Sequence, residues 1–496
     1  MHDRVRPFRC SNLLVLSLLL AFSFVLLVFP TAALCQAGAA GPMTAIEQLN
    51  QTLVATSGQG FDAQAAAKAR DVAKERLDLL LAVVTASPGT AEGLMLDSGV
   101  IAALPVSAQP YLEHDADEYG SLAVEVEDYV RSHRTRVFLD KAGERLELHF
   151  AGVRPTHLLS GSVVRVRGKR LNNVLLLGAG AGTMQVLSSA ALPNTFNAQS
   201  TAVLLVNFQD NTAQPYTLDQ ARDVVFNTVS NFYLENSQNQ TWLTGDVFGW
   251  FTLPLSVTAC QTLTTLSASA NQAATAAHVD LSTYNHLVYV FPHNGCDWLG
   301  AGSVGGSPSL AAINGTMDLD IVGHEMGHGF GLLHSHSLVC PGTTVGSNCV
   351  TDEYGDRFDI MGRWIASHFN AYQKERLGWL NYGSSLPITT ADTSGTYTIT
   401  PYETSSGPKA VKVLQDTGAP IGQRTWYYIE YRQPIGFDSV LSQYPASTTG
   451  VLVRSGGEGD PNSSLLLNMN PQDSSFAQAA LAVGQTFVDP QAGVSI

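Results

Sequence analysis

The apolar positions of the chain change period several times, and each change predicts a different kind of structure. Residues 13–29 form an apolar run broken only by Ser17 and Ser23. Residues 62–84, rich in Ala, Leu, Lys and Arg, carry helical spacing and predict an amphipathic helix. From about residue 121 to 177 the period falls to two. The segments 136–139, 146–150 and 163–168 alternate apolar with polar residues between turn signals, which predicts a small β-barrel or sandwich. Residues 178–182 and 193–200 read as linker. Strand and helix then alternate, with strands at 201–208, 247–253 and 286–291. Between the first two lies a helix over 218–234 whose apolar face holds Val224, Val225, Val229 and Phe232. Beyond residue 385 the sequence is rich in Thr and Ser, with strand runs at 396–400 and 426–431, and predicts an all-β region. Four regions result: 1–35, 36–195, 196–385 and 386–496. The last breaks off at Gly493-Val494-Ser495-Ile496, in the start of a strand, as expected of a fragment.

The first region predicts export. Arg4, Arg6 and Arg9 precede the apolar run, and small residues follow Pro30, the layout of a cleaved secretory signal peptide. A retained membrane anchor is the alternative, since a seventeen-residue run lies at the short end of a spanning helix. Cysteine usage agrees with a secreted, extracellular protein. Cys10 and Cys35 lie in or beside the signal, leaving Cys260, Cys296, Cys340 and Cys349. Four cysteines allow three pairings. Cys340–Cys349, around a short Gly-rich loop, and Cys260–Cys296 are favoured. The formal charge of -15 excludes a nucleic-acid partner, which would need clustered Lys and Arg.

Residues 324–334 read His-Glu-Met-Gly-His-Gly-Phe-Gly-Leu-Leu-His. On a helix, His324 and His328 lie one turn apart on one face and can present two imidazoles to one metal ion. Glu325 projects about a quarter-turn away, where it reaches water at the metal without replacing a ligand. Gly331 accepts φ > 0 at no steric cost, so the helix is expected to end there and His334 to return as third ligand. Three nitrogen ligands leave one tetrahedral position open, the arrangement of a catalytic zinc. Such a site hydrolyses amides, with Glu325 as general base.

These eleven residues resemble the zinc signature of the metzincins, and Asp359-Ile360-Met361-Gly362 resembles their Met-turn, with Met361 as its structural residue. The stretch from Tyr354 to Gly362, and His368-Phe369-Asn370-Ala371 leading to Leu377-Gly378-Trp379, are similar to the gametolysin-like peptidases. The resemblance implies an α+β zincin catalytic domain over 196–385, with a twisted mixed sheet above the active-site helix. It implies one catalytic Zn2+ held by His324, His328 and His334, and a zinc metalloendopeptidase acting on extracellular or cell-wall proteins. It also implies an edge strand that pairs with bound peptide, for which residues 296–306 are the candidate; an ordinary Gly-rich loop is the alternative. Region 36–195 is then a β-rich pro- or accessory domain, and 386–496 an all-β C-terminal domain. No Cys between Cys35 and Cys260 is available to block the metal.

His336 lies two past His334, but the signature spacing favours His334. The acidic cluster Asp352, Glu353, Asp356 and Asp359 is read as turn caps paired with Arg357 or Arg363, with Ca2+ as the alternative. Asp318 and Asp320 suit a helix N-terminus. The run Arg165, Arg167, Lys169 and Arg170 is read as a solvated strand face. Beside the peptidase stand two further readings: a non-catalytic adhesin on the same scaffold, and a zinc amidase with a non-protein substrate. A protein or peptide substrate is the expected partner, with no stable membrane association once the signal is cut.

Overall fold

The computed structural model describes residues 41–496 apart from Gln59, Trp364 and Thr417. The segment read as a signal peptide, with Cys10 and Cys35, lies outside the described residues. Among those described, no helix is long and apolar enough to cross a membrane. The fold is mixed α/β, with large sheets and few helices.

The amphipathic pattern at 62–84 forms a helix, Ala63–Ala86, whose Asp62 side chain accepts a hydrogen bond from the Ala65 N–H at 2.7 Å. Six strands follow: β1 (His114–Asp128), β2 (His133–Lys141), β3 (Glu144–Phe150), β4 (Val163–Leu171), β5 (Val174–Leu177) and β6 (Met184–Ser188). The pairings β1–β2, β2–β3, β3–β5, β5–β4 and β4–β1 close on themselves, so five strands make a barrel. Leu122, Val124 and Val126 of β1, with Val137, Leu139, Leu146 and Leu148, fill it at alternate positions, as a pleated strand requires. The run from Arg165 to Arg170 stands on β4 and pairs with acids: Arg165 and Arg167 with Asp117, Lys169 with Asp115, Arg170 with Glu144.

Five more strands continue the same sheet: β7 (Asn197–Phe208), β8 (Thr241–Leu253), β9 (His286–Phe291), β10 (Gly300–Ser303) and β11 (Ser309–Asn314). Their order is β10-β11-β9-β7-β8, with β1 beside β10, so one eleven-stranded sheet runs from the barrel through the central region. β7 is parallel to both neighbours and apolar on both faces, as such strands must be. Ala202, Leu204, Val206 and Phe208 pack towards helix Leu263–Ala276. Val203 and Leu205 face the opposite core, with Phe232, Tyr233, Val322, Met326 and Met361. The helix expected over 218–234 is continuous from Leu218 to Asn236, through a π-helical stretch at Val224–Val229. Residues 296–306, expected to offer an open edge, contain β10, and β1 covers that edge. The antiparallel register runs from Glu125 opposite Ser303 to Asp128 opposite Gly300.

A second sheet holds β12 (His336–Val339), β13 (Val350–Asp352), β14 (Ile388–Thr390), β15 (Ala410–Leu414), β16 (Thr425–Glu430), β17 (Gly450–Gly457) and β18 (Asp460–Leu467). β12 runs parallel to β18, so the C-terminal strands reach back to the chain just after His334. Residues 396–400 form no strand. Tyr397 and Ile399 do pack against the core beside β16, but the Thr400 N–H donates to the Pro408 carbonyl instead of a ladder. Alternation there marks burial without pairing. The disulfides are Cys260–Cys296 and Cys340–Cys349.

Candidate metal centre

Helix Leu319–Gly329 begins where Asp318 accepts a hydrogen bond from the Ile321 N–H, with Asp320 in the first turn. It packs against β10 and β11 and holds His324, Glu325 and His328 on its buried face. The last helical residue is Gly329. Gly331 follows at φ +89°, a conformation that favours Gly, and the chain reverses to bring back His334. The ring centroids of the three histidines stand 5.0 to 5.3 Å apart.

Each imidazole is fixed through Nδ1. His324 Nδ1 lies 2.8 Å from the Ile360 carbonyl, His328 Nδ1 2.8 Å from the Leu332 carbonyl, and His334 Nδ1 2.7 Å from the Glu353 carboxylate. Carbonyls and carboxylates only accept, so all three Nδ1 atoms donate and the Nε2 atoms are turned to one point. His336 is held apart, its Nδ1 on the Glu353 carbonyl.

A fourth group reaches that point from the barrel. Asp128 Oδ2 lies 3.2 Å from His328 Nε2 and 3.6 Å from His324 Nε2, and Oδ1 lies 2.8 Å from His334 Nε2. Tyr354 donates its hydroxyl to Asp128 Oδ1 at 2.5 Å. Asp128 is 200 positions from His328, and no local pattern marks it, so the sequence reading missed it. Glu353 was read as a turn cap, but its carboxylate sits among His133, His334 and His336.

Glu325 is fully buried, with its carboxylate against β10. A Cβ on Gly300 would stand 2.6 Å from Glu325 Cδ, so the backbone approach needs Gly there. Met361 underlies the helix: a Cβ on Gly327, between the two histidines, would meet Met361 Sδ at 2.6 Å. The Met361 turn is held by Asp359, which accepts from the N–H groups of Met361 and Asn370.

Two buried carboxylates and three imidazoles share this point. Burial, then the facing Asp128, pushes Glu325 well above the usual carboxylate range. Burial opposes charge on His334, but Asp128 and Glu353 outweigh it and push the imidazole up to about 9. No Lys or Arg pairs with Asp128 or Glu325 among the described residues. The imidazoles are therefore the basic groups that face these carboxylates, and a metal ion held by the same atoms would take that place. The donor set fits one. The ligand atoms of Asp128, His324, His328 and His334 all lie within 4.8 Å of one another. A tetrahedral ion with bonds of about 2.0–2.1 Å holds its ligands about 3.3 Å apart, and the distances from Asp128 to the three Nε2 atoms, 2.8 to 3.6 Å, bracket that value. By contrast the acidic cluster at 352–359 does not converge. Asp352 pairs with Arg363, Asp356 with Arg454, and Asp359 with the Met361 turn, while Arg357 lies over the Tyr444 ring.

Residues 191–451 match the family model described as gametolysin peptidase M11. No curated protein matches the chain.

Proposed function

The chain belongs to the gametolysin peptidase M11 family, and on that premise we propose that it is a secreted, zinc-dependent endopeptidase of the metzincin kind, acting on extracellular or cell-wall proteins. One observation carries the reading: three imidazoles with their Nδ1 atoms tied to acceptors, their Nε2 atoms convergent, and a buried carboxylate beside them. Two disulfides suit an oxidising compartment.

His324, His328 and His334 would hold the ion. When bound, zinc supplies a Lewis acid that makes water a nucleophile at neutral pH and polarises the scissile carbonyl. Glu325 takes the proton of the attacking water and hands it to the leaving amide nitrogen. Glu353 keeps His334 in the Nε2-ligating orientation. Gly300 and Gly302 leave room for the base, because a side chain on either would press on Glu325. Gly300→Ala therefore displaces the carboxylate and lowers turnover about 10²-fold at unchanged zinc content. Unchanged turnover in that variant would mean that the carboxylate has slack.

The reading is tested on the purified full chain by metal analysis, and by gelatin cleavage before and after limited digestion with elastase. One zinc per chain is expected, with cleavage that a chelator abolishes and added Zn2+ restores. A chain that takes up no zinc, or a zinc-loaded chain that cleaves nothing after digestion, would overturn it.

A further inference from the structure

The convergence of a barrel residue on the three histidines is the least expected contact in the molecule. We propose that Asp128 is a fourth protein ligand of the metal, and that through it the N-terminal region occupies the substrate's place and keeps the enzyme closed; this rests on the zinc-peptidase reading above.

Three observations converge. The first is chemical. A catalytic zinc with three protein ligands keeps its fourth position for water and substrate. Here a fully buried carboxylate stands there, 2.8 to 3.6 Å from the three Nε2 atoms. The second is the strand that carries it. The end of β1 lies antiparallel on β10, directly over Glu325, with Asp128 opposite Gly300. The Leu299 N–H donates to the Asp128 carbonyl, and the Val304 N–H to the Val124 carbonyl. A peptide adding to this sheet next to the base would need those same backbone groups. The third is access. Asp128, His324, Glu325 and His328 are 0% exposed and His334 is 2% exposed, so no substrate reaches the metal while β1 is in place.

Release has a place to begin. Between β6 and β7, residues 189, 191, 192 and 194 are exposed. Hydrolysis of a peptide bond there, by water and a second peptidase, leaves the N-terminal region held by non-covalent contacts alone. Until then the strand is tethered, at an effective concentration of about millimolar, which excludes dilute substrate.

The test uses the full chain loaded with Co2+, whose visible absorption reports the ligand set, as wild type and as Asp128→Asn. The variant keeps the shape of the side chain and an acceptor for the Tyr354 hydroxyl. It is expected to bind one metal per chain, to show a changed spectrum, and, loaded with zinc, to cleave gelatin at least about tenfold faster than undigested wild type. The same spectrum and the same rate in a metal-loaded variant would overturn the proposal. Should the variant not fold, wild type cut by elastase and freed of its N-terminal fragment serves instead. A spectrum unchanged by that removal overturns the proposal while leaving the peptidase reading intact. A chain that binds no metal overturns both.

Discussion

Replacing Glu325 by Gln is expected to lower gelatin hydrolysis by the processed enzyme about 10³- to 10⁴-fold, at the upper end of what a positioned base contributes. The amide has the volume of the carboxylate, so it fits against Gly300 and Gly302 without moving the helix. The histidines keep their Nδ1 partners, none of which is Glu325, so metal content is expected to match that of the wild type. On the proposed mechanism, what is lost is a group able to take a proton from water and return it to nitrogen. Parallel metal analysis and initial rates decide the matter. Equal zinc with equal turnover would remove Glu325 from the chemistry, whereas lost zinc would make it a structural residue.

The second large effect concerns stability. Arg454 of β17 is fully buried, with Nε 2.6 Å from Asp356 Oδ2 and Nη1 2.9 Å from Glu430 Oε2. Glu430 also takes Arg432 and the Ala371 N–H, and Arg432 grips Asp438 with two hydrogen bonds. Arg454→Met leaves the carboxylates of Asp356 and Glu430 short of a counter-charge in the interior, and such a loss costs about 3–5 kcal/mol. A clear fall in the urea midpoint is expected. Adding Asp356→Asn should recover part of it, because one uncompensated charge is then gone. A midpoint that Arg454→Met leaves within error would show that water or rearrangement replaces the guanidinium. Asp356 lies between Tyr354 and Met361, so this network also ties the second sheet to the floor of the metal centre.

These two cases mark how far the sequence could be read. The histidine spacing was legible because a helix puts residues four apart on one face, and Gly331 announces the reversal. β7 and β9 were legible because strands buried on both faces read as continuous apolar runs. Residues 396–400 misled because alternation records which side chains are buried, not whether the backbone has a partner. The partner of Asp356 was sought among its neighbours Arg357 and Arg363, and is Arg454, 98 positions on. Asp128 was invisible for the same reason: an acid in an alternating strand looks like a solvated face until the barrel brings its end against another strand. Local periodicity encodes elements, whereas charge pairing across a sheet is set by topology.

β10 reads Gly-Ala-Gly-Ser, and β1, the strand that covers its edge, meets it in an antiparallel backbone ladder. A template of this kind carries almost no information about the sequence it holds, since every peptide offers the same row of N–H and C=O groups. If substrate takes the place of β1, as proposed above, discrimination among peptides falls to the walls beyond this strand, and the strand itself measures only whether a chain can be laid out straight.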